Sequence, residues 1–290
     1  VCVAITSGAS TLAGATLVSS SPVAQYVVGG STFGIATFKL STASAGTVAN
    51  VRELRFQTNG NDAIESITVG GVTAPVISGG TTTVSGLNIA ISSTGTDVPV
   101  TVKFSGFQNS TTGGSLQTSI SSVYVTLGHI EATSGSGSVI TNVTPVNSST
   151  MKLVASKPVV TVSAGNTDTL VLGAENKVGE FTVSADANGK ISVATTSLSL
   201  SAVGVTGVEF TSPRVADGNT TISSGTVTGS STMSVVFSPA YEISAGQSKT
   251  FSVYAVVAGT PQASMTPYVT SRLTSGASFE WKDVIGGNTA

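Results

Sequence analysis

Short runs of alternating apolar and polar residues, divided by Gly, Asn, Asp and Pro, restrict the fold of this chain most strongly. Alternation with a period of two places one set of side chains on each face of a β-strand, and no segment shows the helical period. The clearest runs are residues 37–40, 51–56, 66–69, 87–91, 98–104, 122–127, 159–162, 180–183, 196–200, 208–210, 233–237 and 250–256. Many short strands without intervening helices predict β-sandwiches and argue against an α/β fold.

The second half of the sequence repeats the first at an offset of roughly 140–150 residues. ATFKLSTA at 36–43 aligns with GEFTVSAD at 179–186, and ELRFQ at 53–57 aligns with SLSLS at 197–201. Three further pairs keep the same order: 87–91 with 233–237, 98–107 with 249–258, and 121–137 with 266–281. The repeat predicts two tandem immunoglobulin-like β-sandwich domains, over residues 15–149 and 150–290, with residues 1–14 as an extra N-terminal piece.

Charged residues are scarce, at 9% of the chain compared with about a quarter in typical soluble proteins. Ser and Thr make up about three residues in ten, so the strand faces that usually carry Lys and Glu carry hydroxyl groups. A net charge of −2 and 12 scattered Lys and Arg offer no basic patch to a phosphate backbone, so we expect no nucleic-acid partner. No apolar run approaches the ~18 residues of a membrane span, so we expect a protein that does not span a membrane.

The first five residues, VCVAI, are all apolar, and their only counterpart ahead of the second domain is the linker strand at 151–155. We call them the donor segment and interpret them as a strand that completes a sheet in a neighbouring subunit: Val1, Cys2, Val3, Ala4 and Ile5. Residues 6–14 would then form a flexible tether. Cys2 would be a small buried hydrophobe, with lipid modification as the alternative. Because the chain begins with Val rather than Met, either an export segment has been cleaved or the sequence is a fragment; we interpret it as a mature, secreted chain located at the cell surface. The single cysteine excludes an internal disulfide, so stability must come from burial and from the sheet ladders.

With this layout, the sequence resembles the tandem Ig-like surface proteins of bacteria and archaea, including S-layer and extracellular filament subunits. The tail SFEWKD at 278–283 is similar to an F-x-W-x-D element of long cell-surface proteins from ultrasmall, uncultivated bacteria. The resemblance implies a non-enzymatic structural role. It brings no catalytic residues to this chain.

His129 is the only histidine, so a catalytic triad or a zinc site would have to be built around it. It lies close to Glu131 at the edge of a strand, which favours a surface position or a satisfied polar role. No G-x-S-x-G motif occurs, and the 14 acidic residues are spread thinly. We therefore predict no enzyme activity, no catalytic residue and no metal site.

Loops rich in Asp, Asn and Gly could hold calcium weakly, at Asp186 and Asn188 or at Asp217 and Asn219. Turn chemistry accounts for the same residues and is the favoured interpretation, because Asn, Asp and Gly tolerate left-handed backbone. No other cofactor is predicted. N-x-S/T sequons mark four candidate glycosylation sites: Asn109, Asn142, Asn147 and Asn219.

Seven phenylalanines fall inside the strand runs and are predicted to form the sandwich cores: Phe38, Phe56, Phe104, Phe181, Phe210, Phe237 and Phe251. A sugar-binding platform would need exposed Trp and Tyr, whereas the one tryptophan, Trp281, is expected to seal the second domain.

These features together predict a structural subunit of an extracellular polymer, either a pilus-like filament or a surface layer. It would assemble as a homopolymer by β-strand exchange and lateral sheet contacts. The alternative is a monomeric adhesin stalk or a carbohydrate-binding surface module. Other copies of the same chain are the expected partners, with glycans as the second class.

Overall fold

A computed structural model describes residues 11–60, 62–107, 120–163, 170–228, 231–273 and 279–283. Every regular element in these ranges is a β-strand, and none of them contains a helix long and apolar enough to cross a bilayer. The chain divides into two compact units, Val1–Val154 and Ala155–Ala290. The predicted all-β sandwich class is confirmed.

The described part of unit 1 is built from strands β1 to β12, which form two sheets. The first has the order β1-β3-β8-β5-β6 and the second β2-β12-β9-β4-β7, with β10 and β11 also paired to β9. The strands are β1 (Leu12–Leu17), β2 (Tyr26–Val28), β3 (Thr32–Thr42), β4 (Val48–Asn59), β5 (Ile64–Val69), β6 (Val72–Pro75), β7 (Thr81–Ser92), β8 (Thr96–Phe104), β9 (Ile120–Ser134), β10 (Val139–Asn142), β11 (Val146–Asn147) and β12 (Met151–Val154).

The core of unit 1 lies between these sheets and follows from the period-two alternation. On β3, Phe38 and Leu40 are 1% and 0% exposed, whereas Lys39 between them faces solvent. Phe56 of β4 approaches Phe38 from the other sheet, with ring centroids 6.5 Å apart. Aromatic side chains of both sheets therefore interlock at the centre of the unit.

Unit 2 folds as one continuous sheet bent into two layers. Its order is β13-β14-β19-β16-β17-β18-β15-β20, with β21 also paired to β15. The first part of β17 pairs with β16 and the second part with β18, so β17 carries the sheet around the corner. The strands are β13 (Val159–Val162), β14 (Glu175–Ser184), β15 (Ile191–Val203), β16 (Val205–Asp217), β17 (Thr220–Thr228), β18 (Thr232–Ile243), β19 (Ser248–Pro261), β20 (Tyr268–Leu273) and β21 (Glu280–Asp283).

An aromatic cluster fills the space between the two layers of unit 2. Phe181 of β14 and Phe251 of β19 are both fully buried, with ring centroids 5.1 Å apart. From the opposite layer, Phe237 lies 5.7 Å from Phe251, and Tyr241 meets the same ring edge-on at 5.1 Å. All seven phenylalanines assigned to the cores from the sequence are at most 5% exposed.

The two units share a pairing scheme. The pairs β3·β8, β4·β7 and β4·β9 of unit 1 recur in unit 2 as β14·β19, β15·β18 and β15·β20, in the order of the sequence repeat. In a constant-type immunoglobulin domain the fifth strand lies beside the second. The successive main strands of unit 1 are β1, β3, β4, β5, β7, β8 and β9. The second of them, β3, has the sixth, β8, beside it. The sandwich architecture is thus combined with a different strand order.

Two segments lie in other elements than the sequence analysis assigned. The linker strand β12 is part of unit 1, so the boundary between the units follows Val154 in the chain. The sequence analysis places the start of the second domain at residue 150. Residues 12–14, which were assigned to the tether, belong to β1, and Leu12 is 8% exposed. In both cases apolar residues adjoining the sandwich are recruited into its sheets, because burial there stabilises them.

Candidate functional site

Strand β12 completes a sheet of unit 1 although it comes from the linker that leads out of that unit. It runs antiparallel to β9, where Met151 stands opposite Val123, and parallel to β2 on its other side. Met151 and Leu153 are fully buried. The backbone ladder continues past the strand, since Gly29 N–H donates to Val154 O at 2.9 Å. A short apolar linker segment therefore supplies both hydrogen bonds and core side chains to the unit that precedes it.

The outer edge of β9 is covered along its length in unit 1. Strands β10 and β11 pair with its C-terminal and middle parts, and β12 with its N-terminal part. On this covered strand the side chains of Val123, Val125 and Leu127 are no more than 1% exposed.

The equivalent edge in unit 2 is β20, and no described strand pairs with its outer side. Phe56 of β4 pairs with Leu127, and its repeat partner Leu200 pairs with Ser271. The repeat therefore equates Leu127 with Ser271 and Val125 with Val269. Whereas Val125 is fully buried, Val269 is only half-buried. Next to it, Met265 and Tyr268 are 47% and 49% exposed.

Unit 2 has a second apolar edge in β13, whose described pairing is with β14 alone. Its Val159 and Val162 are 57% and 43% exposed. In unit 1 the equivalent strand β1 is protected by a bulge at Gly14, where a Cβ atom would lie 3.3 Å from Asn142 Oδ1. Exposed apolar edges of this kind are templates for added strands.

The proposed donor segment and one sequon lie outside the described residues: Val1, Cys2, Val3, Ala4, Ile5 and Asn109. Of the other sequons, Asn147 and Asn219 are exposed, and Asn142 is half-buried. Asn142 Oδ1 accepts a hydrogen bond from Thr144 N–H at 2.9 Å, and Asn147 Oδ1 accepts one from Thr126 Oγ1 at 2.8 Å. Asn219 lies in the turn between β16 and β17.

The F-x-W-x-D element closes unit 2. Trp281 of β21 is 5% exposed, and Asp283 is fully buried. The Asp283 carboxylate accepts a hydrogen bond from Ala155 N–H at 2.7 Å, which joins the last described strand to the first residue of the unit. The element thus links the two ends of the described part of unit 2.

The carboxylates of the two candidate calcium loops, Asp186 and Asp217, accept hydrogen bonds within the protein. Asp186 Oδ1 accepts a hydrogen bond from Asn188 N–H at 2.9 Å, a contact typical of a turn. Asp217 Oδ2 accepts hydrogen bonds from the Tyr241 hydroxyl and from Lys249 Nζ, the latter at 3.0 Å. The bond from Tyr241, followed by that from Lys249, lowers the pKa of Asp217. A cation at this carboxylate would have to compete with the Lys249 ammonium.

A polar cluster lies on the two central strands of the second sheet of unit 1. Glu53 of β4 stands directly opposite Glu131 of β9, and potential ligand atoms of Glu53, His129 and Glu131 lie within 4.8 Å of one another. Arg55 Nε donates to Glu53 Oε1 at 2.6 Å. His129 Nε2 is buried and has no hydrogen-bond partner among the described residues. The sequence showed that His129 is close to Glu131, but Glu53 joins them only through the pairing register.

No family model matches this chain, and no curated protein matches its sequence. A putative membrane-anchored protein from Corynebacterium diphtheriae is 9% identical over 94% of this chain and 89% of its own, with a TM-score of 0.23. The CsuC–CsuE chaperone–tip adhesion subunit complex from Acinetobacter baumannii is 8% identical over 88% and 99%, with a TM-score of 0.28. The T6 backbone pilin of Streptococcus pyogenes is 9% identical over 81% and 73%, with a TM-score of 0.18. At such TM-scores the backbones do not superpose closely, and the likeness carries no functional argument.

Proposed function

We propose that this chain is a non-enzymatic structural subunit of an extracellular homopolymer, a filament or surface layer, at a cell surface. In this polymer the donor segment of one copy completes a sheet in the next. The observation that carries the proposal is β12, a buried linker strand that joins unit 1 between β2 and β9. The chain thus already uses strand addition to complete a sandwich.

The donor segment lies ahead of β1 in sequence as residues 151–155 lie ahead of β13. Both segments are five residues long, VCVAI and MKLVA, and both are apolar at their first, third and fifth positions. Because residues 151–154 dock onto the unit that comes before them, the donor segment is expected to dock onto a unit that comes before unit 1. In the proposed polymer that unit is supplied by another copy, and repeated head-to-tail addition generates a filament.

Lateral contacts between neighbouring filaments are favoured by the uncharged strand faces. On the exposed face of β14 and β19, Thr182 pairs with Thr250 and Ser184 with Ser248 through their hydroxyl groups, at 2.8 and 2.7 Å. Hydroxyl-bearing faces pack against a second copy without the desolvation cost of charged side chains. This property supports a surface layer or a bundle of filaments.

Deletion of residues 1–10 tests the proposal and spares Leu12, which is buried in β1. We expect the shortened chain to remain a folded monomer under conditions in which the full chain gives ordered assemblies by light scattering and negative-stain microscopy. Polymers of unchanged length from the shortened chain would refute donor-strand exchange. Separate rods from the full chain would favour a monomeric adhesin stalk.

A further inference from the structure

We infer that the acceptor for the donor segment is the outer edge of β20 in unit 2, an inference that rests on the proposed function. The shared pairing scheme carries it, because β20 is the repeat equivalent of β9. In unit 1 that edge receives β10, β11 and β12, and β11 lies beside the residues that correspond to β20. In the described part of unit 2 the edge receives no strand. An added strand would lie beside the exposed Tyr268 and the half-buried Val269.

The alternation along both strands gives the register of the added strand. Val269, Ser271 and Leu273 of β20 are half-buried, whereas the residues between them are exposed. Opposite residues of an antiparallel pair lie on the same face, so Val1, Val3 and Ile5 all meet half-buried positions within β20 only when Val1 stands opposite Leu273. Cys2 then lies beside Arg272. Opposed Cα atoms in such a pair are about 4.5–5.5 Å apart, which is within the range that a disulfide bridges.

The second apolar edge, β13, is the alternative acceptor in unit 2. Its repeat equivalent β1 lies at the end of its sheet, and no described strand of unit 1 is added to its outer side. Strand addition in unit 1 occurs beside β9. The repeat therefore assigns the donor segment to β20.

Cys2 is the only cysteine, so one engineered cysteine per variant reports which edge it meets. Arg272→Cys probes β20 and Thr161→Cys probes β13; both replace exposed residues. Polymers formed under reducing conditions are oxidised mildly and separated on a non-reducing gel. We expect covalent oligomers from Arg272→Cys at least fivefold more abundant than from Thr161→Cys, and their loss when Cys2→Ser is added.

The possible failures of this experiment are distinguishable. Stronger crosslinking from Thr161→Cys would move the acceptor to β13. Polymers that crosslink through neither position would overturn the acceptor and leave strand exchange to be judged by the deletion of residues 1–10. Absence of polymers from the full chain would overturn the proposed function itself.

The cluster of Glu53, His129 and Glu131 carries a second, independent inference. We propose that it binds a divalent first-row transition metal such as Zn²⁺. Carboxylates that stand directly opposite on paired strands repel each other unless a cation lies between them. Arg55 stands opposite His129, and its ion pair among the described residues is with Glu53. The buried Nε2 of His129 has no described partner, and imidazole favours zinc over calcium. This site departs from the expectation, drawn from the sequence, of no metal.

Arg55 is compatible with such a site because it contacts one oxygen of Glu53. Its bond to Oε1 orients the carboxylate and leaves the other oxygen for the ion. The metal would then tie β4 to β9 at the centre of the second sheet of unit 1.

Thermal unfolding of the purified chain with added ZnCl₂ or CaCl₂ tests this site. A ZnCl₂ concentration about 100-fold above Kd is expected to raise Tm by several degrees, and CaCl₂ is expected to leave it unchanged. His129→Gln should remove the zinc effect. Glu65→Gln, on the exposed pair with Lys103, should keep it. A Tm that does not respond to zinc, or an equal response from His129→Gln, would overturn the site.

Discussion

At the scale of single residues, Asp283 joins the end of unit 2 to its beginning. Its buried carboxylate accepts the Ala155 N–H at 2.7 Å, so Asp283→Ala leaves a backbone donor without its partner. We expect a loss of about 1–3 kcal/mol in the free energy of unfolding of unit 2, measured by urea titration. The adjacent exposed Lys282→Ala should change it by less than about 0.5 kcal/mol. Equal stability of both variants would contradict this role.

Asp217 gives unit 2 a dependence on acidic pH. Hydrogen bonds from Tyr241 and then Lys249 lower its pKa, so it contributes stability above the pKa of the unfolded chain. That contribution is lost as pH falls below about 4 and through the lowered folded pKa. Asp217→Asn should therefore lose less Tm between pH 7 and pH 3 than the wild type. Glu209→Gln, an exposed control on the same strand, should follow the wild type; an Asp217→Asn variant that also did so would exclude the effect.

At the scale of elements, Leu153 tests whether β12 serves unit 1. It is fully buried in that unit, so Leu153→Ala is expected to cost about 2–5 kcal/mol there. The single tryptophan, Trp281, lies in unit 2, so its fluorescence follows that unit while circular dichroism follows both. We expect an early loss of circular dichroism with an unchanged fluorescence transition. The reverse order would assign β12 to unit 2, and exposed Lys152→Ala serves as the control.

The sequence predicted the strands and the aromatic cores because alternation is a local signal. The period of two puts Phe38 on the same strand face as Leu40, and Phe181 on the same face as Val183, and all four are buried. The sequence could not predict which sheet β12 joins, because the choice of sheet depends on which edge of the sandwich is open. The cluster around His129 likewise depends on the pairing of Glu53 with Glu131 across strands 78 residues apart in sequence (131 − 53).

At the scale of the whole molecule, two sandwiches with the same pairing scheme differ at one edge. Unit 1 covers that edge with strands of its own chain, whereas the described part of unit 2 leaves it open. The proposed polymer removes this difference, because each copy completes unit 2 of the copy before it. Assembly and stability of unit 2 should therefore be linked, while unit 1 should be equally stable in monomer and polymer.

Binding of a synthetic peptide of residues 1–10 to the chain that lacks these residues tests strand exchange most directly. Calorimetry should show one peptide per chain, and the peptide should raise the unfolding temperature reported by Trp281 in unit 2 without changing the transition of unit 1. A peptide of the same composition in scrambled order is the control. Absence of binding, or a peptide that stabilises unit 1 alone, would contradict the account.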